Sequence, residues 1–260
     1  MATLVTFHAH PDDECISCGG VMRKAADEGH RVVLVVATRG ELGEVQDGFL
    51  ADGEELWTRR VLETHAAADI LGVSRVEFLG YQDSGMMGDP TNDGPDTFWQ
   101  ASVEEAANRL AAILTQESAD VLTIYDDNGG YGHPDHIQVH RVGARAAELA
   151  GTPRVYQATV NRDEMRRRMA EARAAGDESF GPPEDIEMGK PEIELTAAVD
   201  VTKYLDTKRA AMRAHASQIA EDSFFLAIPD EGFAMAFGTE YFIRAGQGAG
   251  ITETDIMEGL

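Results

Sequence analysis

The run Arg31-Val-Val-Leu-Val-Val-Ala37 carries no polar residue after its first position. An unbroken apolar run of this length fits a strand that is covered on both faces, because a half-exposed strand would alternate. The chain therefore has to supply helices for both sides of a sheet. Leu4 to Phe7 reads as a short strand, Ile16 to Glu28 as a helix stopped by Gly29, and Glu54 to Leu71 as a helix stopped by Gly72. Arg75 to Leu79 is a further strand, Val103 to Glu117 a helix, Asp120 to Tyr125 a strand, and Pro134 to about Ala150 a helix with proline in its first turn. Strands alternating with helices predict an α/β fold: a Rossmann-like, mostly parallel sheet with helices on both faces, plus a small C-terminal cap or extension.

With 260 residues, 43% of them apolar, the chain is long enough for one α/β domain over residues 1–260. Residues 1–150 form the expected core, and residues 151–260 are expected to complete the sheet and cover the substrate. In that second part Arg154 to Val160 reads as a strand, Arg162 to Ala175 as a charged helix and Gly176 to Pro191 as a loop. Glu192 to Val199 alternates like a strand, and Val201 to Ile219 reads as an amphipathic helix. Two long stretches, 38–53 and 80–97, are rich in Gly and acidic residues, and loops of that length are more often functional than idle.

Lys and Arg number 22 against 46 Asp and Glu, a formal charge of -24, which repels phosphate backbones and anionic lipid. Nucleic-acid and membrane partners are not expected. No apolar run approaches the about 18 to 20 residues of a membrane span, and Met1 to His8 lacks the basic start of a signal peptide, so the expected location is the cytoplasm. Cys15 and Cys18 are the only cysteines; they offer no disulfide framework and read more simply as part of a packed helix than as a redox pair. The sequence leaves a homo-oligomer open.

Chemistry concentrates in two places. Residues 8–14 read His-Ala-His-Pro-Asp-Asp-Glu, and residues 133–136 read His-Pro-Asp-His. Each cluster falls just past the carboxyl end of an expected strand, which is where open parallel sheets bind ligands. Imidazole with carboxylate is the ligand set of a catalytic zinc that keeps a position open for water. Pro11 fixes a turn that lets His10 and Asp13 converge on one ion, leaving Asp12 as a spare carboxylate for proton transfer. Helix capping would account for Asp12, Asp13 and Glu14 alone, but not for His10 and Pro11. From spacing, His133, His136 and His140 all remain candidates for the third ligand. His8 reads as a core or supporting histidine, and His30 and His65 as structural or exposed.

The motifs Ala9-His-Pro-Asp-Asp-Glu14 and Gly129-Gly-Tyr-Gly-His-Pro-Asp-His136 resemble those of the PIG-L/LmbE family of metal-dependent N-deacetylases. Gly40-Glu-Leu-Gly-Glu44, Asp83-Ser-Gly-Met86 and Arg213-Ala-His-Ala-Ser-Gln218 extend the resemblance through most of the chain. The resemblance implies one zinc per subunit, or Fe²⁺, held by His10, Asp13 and His136. It implies Asp12 as general base, His133 as electrophilic stabiliser of the oxyanion, and Tyr131 near the scissile carbonyl. Asp135 is expected to orient an imidazole rather than to bind metal.

Within the family the resemblance is strongest to actinobacterial enzymes of mycothiol metabolism, where positions matching Glu44, Arg60 and Asp83 contact the hydroxyls of a glucosamine-inositol substrate. The implied activity is removal of an N-acetyl group from a small N-acetylglucosamine-containing molecule by metal-activated water. An amidase acting on mycothiol S-conjugates is the alternative within this chemistry. A metal- or sugar-binding protein without catalysis is the alternative outside it, disfavoured by the base beside the ligands and by the lack of a G-x-G-x-x-G after the first strand. His215 matches a family pattern without an assigned role.

Overall fold

The computed structural model describes residues 1–174 and 187–260. Its strands are β1 (Thr3–His8), β2 (Arg31–Val36), β3 (Arg75–Phe78), β4 (Val121–Tyr125), β5 (Arg154–Thr159), β6 (Ala197–Asp200) and β7 (Thr239–Arg244). They form one seven-stranded sheet in the order β3-β2-β1-β4-β5-β7-β6. The first five pair in parallel, β1 with both β2 and β4. β7 runs antiparallel to both β5 and β6, so the C-terminal extension adds two strands to the same sheet. None of the helices among the described residues is long and apolar enough to cross a membrane.

Helices α1 (Asp13–Ser17), α2 (Gly19–Asp27), α3 (Leu56–Leu71), α4 (Val103–Glu117), α5 (Pro134–Ala150), α6 (Arg162–Ala174), α7 (Leu205–Ala214), α8 (Phe224–Ala227) and α9 (Asp230–Phe237) connect and cover the strands. Alternation along β1 and β2 splits the core into two layers. Leu4, Val32, Leu34 and Val36 pack with Met22 of α2, Leu71 of α3 and Met212 of α7. Val5, Phe7, Val33 and Val35 face the other way, against Leu110 and Leu114 of α4 and Val139 and Val142 of α5. Each such Val, Leu or Phe contributes about 1.5–3 kcal/mol on burial.

The chain leaves β1 for β2 on one side and later returns to pair β4 on the other, so strand order reverses at β1. That reversal opens a crevice beyond the carboxyl ends of β1 and β4. Both histidine clusters emerge there.

Several boundaries differ from those expected, each for a long-range reason. The helix expected over Ile16 to Glu28 is broken at Cys18 into α1 and α2. A buried carboxylate imposes the break: Glu240 of β7 accepts the Gly20 and Val21 N–H groups at 2.8 Å each and is itself paired with buried Lys208 at 2.5 Å. The strand expected over Glu192 to Val199 is a 3₁₀ turn at Glu192–Glu194 followed by β6, which is held by β7. The helix expected over Val201 to Ile219 starts as a 3₁₀ turn at Thr202–Tyr204 and stops at Ala214, where His215 leaves helical geometry. α8, α9 and β7 have no counterpart in the sequence reading, and most of the loop expected over Gly176 to Pro191 lies outside the described residues.

Candidate metal centre and active site

At the end of β1 the chain turns sharply through Pro11 and Asp12. Asp12 has φ 98°, a left-handed conformation that costs a non-glycine residue on the order of 1–3 kcal/mol. The turn folds the Asp13 side chain back, and its Oδ2 accepts the His10 N–H at 2.8 Å. It also starts α1, with the Asp12 carbonyl accepting from Cys15 and Ile16. The backbone N–H of Asp12 donates to Glu14 Oε2 at 3.0 Å.

The second cluster opens α5. Gly129 has φ +62°, and a Cβ there would come within 2.5 Å of His136 Cβ, so only glycine lets the loop pass this close to the helix. His133 is the N-cap, and its Nδ1 accepts the Asp135 N–H at 3.1 Å. A neutral His133 therefore carries its proton on Nε2. His136 Nδ1 lies 3.2 Å from the Gly129 carbonyl, an acceptor only, so Nδ1 is the protonated nitrogen and Nε2 is left with a lone pair.

These two turns meet at Asp13 Oδ2, which lies 3.4 Å from His10 Nδ1 and 3.3 Å from His136 Nε2. His136 Nε2 is buried and has no hydrogen-bond partner among the described residues. His10 turns its other nitrogen, Nε2, to Asp135 Oδ2 at 3.1 Å, which keeps Nδ1 available. Asp13 Oδ2 thus lies from a nitrogen of each ring at the spacing that tetrahedral bonds of about 2.0–2.1 Å require, and imidazole with carboxylate is the donor chemistry that Zn²⁺ or Fe²⁺ takes. The His10, His133 and His136 nitrogens also lie within 4.8 Å of one another. His140 is turned away, with Nδ1 3.0 Å from the Tyr125 carbonyl.

The electrostatics follow from this crowding. Burial opposes charge on His10, but Asp83, Asp13 and Asp135 outweigh it and raise its pKa well above the ordinary range. Burial likewise opposes ionisation of Asp13, yet His136 and His10 hold it well below the usual carboxylate range. Ionised carboxylates that stabilise an imidazolium proton here can stabilise a metal cation in its place. Burial pushes Asp12 up to about 6 against the pull of Arg60. Burial, reinforced by His10 and His136, lowers His133 to about 4, so its imidazole is neutral at pH 7. Burial also raises the Tyr131 phenol, which stays protonated.

Asp135 is fully buried. Its Oδ2 also accepts the Ser84 N–H at 2.9 Å, and its Oδ1 takes a short hydrogen bond from the Ser84 hydroxyl. The Tyr131 ring packs edge-on to His136, with centroids 5.0 Å apart. Asp83 is buried, with Oδ1 3.5 Å from His10 Nε2. Arg60 is buried and turned onto the protein, donating to the Gly40 carbonyl at 2.9 Å, the Pro11 carbonyl at 2.5 Å and Asp12 Oδ2 at 3.3 Å. Glu44 is exposed on the 40–44 loop.

Contacts not foreseen from the sequence are those of Ser84, of the Gly129 carbonyl and of Tyr125, whose ring stacks on His136 with centroids 4.5 Å apart. Tyr125 also holds His8, whose Nδ1 lies 2.9 Å from its hydroxyl. Ser84 and Gly129 carry a signal, their places in the Asp-Ser-Gly-Met and Gly-Gly-Tyr-Gly-His-Pro-Asp-His motifs, and Tyr125 carries none.

The PIG-L family, described as GlcNAc-PI de-N-acetylase, matches residues 5–147. The 1D-myo-inositol 2-acetamido-2-deoxy-alpha-D-glucopyranoside deacetylase of Acidothermus cellulolyticus is 43% identical over 280 residues, covering 99% of this chain and 95% of that protein. Among solved structures, N,N'-diacetylchitobiose deacetylase from Pyrococcus horikoshii aligns with a TM-score of 0.61 and 25% identity over 93% of this chain and 83% of its own. The 4-carboxy-2-hydroxymuconate hydratase GalB from Pseudomonas putida aligns with a TM-score of 0.58 over 97% of this chain and 99% of its own, but at 19% identity it shares the fold alone. The family match over residues 5–147 and the full-length relative together establish that the chain belongs to the PIG-L family.

Proposed function

We propose that the chain is a metal-dependent N-deacetylase, hydrolysing the acetamide of a small N-acetylglucosamine-containing molecule such as N-acetylglucosaminyl-inositol. The observation that carries this reading is Asp13 Oδ2 set between His10 Nδ1 and His136 Nε2, with each ring's other nitrogen held by Asp135 or the Gly129 carbonyl. The full-length relative named as an inositol-linked acetamido-sugar deacetylase supports the substrate class. His10, Asp13 and His136 are the proposed ligands, and zinc, with Fe²⁺ as its substitute, is the proposed ion.

When bound, such a metal lowers the pKa of a water toward roughly 7 and polarises a carbonyl. Asp12, kept partly protonatable by burial and steered by Arg60, accepts a proton from the attacking water. The water oxygen adds to the acetyl carbon, and negative charge develops on the former carbonyl oxygen. His133, neutral with its proton on Nε2, donates to that oxygen, and the Tyr131 hydroxyl is a second donor. Asp12 then returns the proton to the leaving nitrogen as the C–N bond breaks, releasing acetate and a free amine.

Glu44, Arg60 and Asp83 are the proposed contacts for sugar hydroxyls, with Arg60 also holding Asp12 Oδ2. The proposed setting is the cytoplasm, with a small molecule rather than nucleic acid or membrane as partner, in keeping with the charge of -24.

Competition among substrates tests this reading. Metal-loaded protein is assayed for acid and amine release from N-acetylglucosaminyl-inositol, N,N'-diacetylchitobiose and a mycothiol S-conjugate. The highest kcat/KM is expected on N-acetylglucosaminyl-inositol. Preference for the S-conjugate would make the protein an amidase, and binding without turnover on all of them would overturn catalysis itself.

A further inference from the structure

The Arg213-Ala-His-Ala-Ser-Gln218 motif touches none of the proposed metal ligands, yet each of its last polar residues ends on an element that carries the site. His215 Nε2 lies 2.6 Å from Glu14 Oε1, and both side chains are fully buried. The other oxygen of Glu14 accepts the backbone N–H of Asp12. Ser217 donates to Glu63 of α3 twice, from its N–H at 2.9 Å and its hydroxyl at 2.6 Å. Glu63 stands one turn after Arg60, the residue that grips Asp12 Oδ2 and the Pro11 carbonyl. Gln218 donates to the Glu44 carbonyl at 3.2 Å.

Asp12 thus receives two restraints: its backbone through Glu14, its carboxylate through Arg60. It needs them, because its φ of 98° is one that a non-glycine residue leaves when unsupported. A buried carboxylate keeps one orientation only if a buried partner fixes its second oxygen, and His215 is that partner for Glu14.

We infer that His215 is a positioning residue for the reaction: by locking Glu14 it holds the Asp12 backbone in the left-handed turn that presents the base to the reacting water. This rests on the reading of Asp12 as base. A base displaced by about 1 Å can lose about 100-fold in rate without any loss of binding.

The experiment compares His215→Ala with His215→Gln, whose amide nitrogen reaches about as far as Nε2 and can still donate to Glu14. Each variant is measured for kcat, KM, bound metal and melting temperature alongside wild type and Asp12→Asn. Expected for His215→Ala is a 10- to 100-fold fall in kcat, KM within about twofold and full metal content, with His215→Gln recovering most of the rate. If His215→Ala does not fold, His215→Asn is read in its place, since its donor falls about one bond short of Glu14. Wild-type kcat in the Ala or Asn variant overturns the inference, as does a loss carried by KM or metal content, or a folded Gln variant no faster than the Ala or Asn variant. Turnover retained by Asp12→Asn would instead overturn the reading of the base, so the two failures are separable.

Discussion

Asp13 Oδ2 lies 3.3 Å from His136 Nε2, a buried nitrogen with no hydrogen-bond partner among the described residues. A buried polar atom left unsatisfied costs about 1–3 kcal/mol, and a folded protein tolerates it where another ligand satisfies it. His136 Nδ1 is meanwhile fixed on the Gly129 carbonyl, so the free lone pair is oriented rather than merely left over.

His136→Ala is accordingly expected to abolish stoichiometric metal binding and turnover while leaving the α/β fold intact. Metal analysis after dialysis, with circular dichroism, checks it. Addition of Zn²⁺ should raise the melting temperature of metal-free wild type but not of the variant, because only a folded-state site shifts the equilibrium. Full metal content in the variant would remove His136 from the ligand set.

His133 makes the contrasting case. Its Nδ1 is committed to the Asp135 N–H, and its proposed role is to donate from Nε2. His133→Ala should keep its metal and lose about 10²–10³ in kcat, the scale of removing one oxyanion donor. Loss of metal instead would make His133 a ligand.

Asp12→Asn keeps the shape of the side chain and removes its basicity. Metal content should match wild type, and kcat should fall by about 10²–10⁴, the range of general acid-base catalysis. Single-turnover acetate release measures it directly, and a fall in metal content would point to coordination rather than proton transfer.

Gly129 passes so close to α5 that an added Cβ would meet His136 Cβ at 2.5 Å and the Ile137 nitrogen at 2.7 Å. Gly129→Ala should therefore move the carbonyl that orients His136, and loss of such a partner weakens metal binding about 10- to 100-fold. Competition with a chromophoric chelator gives the affinity; an unchanged value would show that the loop yields without disturbing the ligand.

The half of the chain built from local patterns was legible before the fold was known. β1, β2 and α3 through α5 carry local signals, an unbroken apolar run in β2 and glycine or proline at helix ends, and the two histidine clusters follow strands whose carboxyl ends face one crevice. What was hidden depends on distant residues. The break at Cys18 requires Glu240, more than 200 positions away, to receive the Gly20 N–H. The end of α7 at Ala214 requires Glu14 to receive His215. The expected sugar contact of Arg60 rests on the family resemblance alone; its hydrogen bonds to Asp12 and the Pro11 carbonyl follow from how α3 docks, which spacing does not encode. β7 was not anticipated, and its place between β5 and β6 is set by antiparallel partners on either side.

Glu117 at the end of α4 accepts from Arg31 and Arg75 at 2.6 Å each, pinning the starts of β2 and β3. The Arg31 hydrogen bond is the main cause lowering its pKa, so the pair adds stability above the ordinary Glu range and loses it as pH falls through the depressed folded value. Glu117→Gln should be less stable than wild type by up to about 1 kcal/mol at pH 7, with the difference fading below about pH 4. Urea titrations at the two pH values test the sign; a gap that widens on acidification would contradict it.

The most direct test of the account is acetate and amine release from N-acetylglucosaminyl-inositol by metal-free protein, before and after one equivalent of Zn²⁺ or Fe²⁺ is restored. Turnover that is absent without metal, returns with it and stays absent in Asp12→Asn despite full metal content is the predicted result. Turnover in the rigorously metal-free protein, or none after restoration in protein that has bound its equivalent, would contradict it.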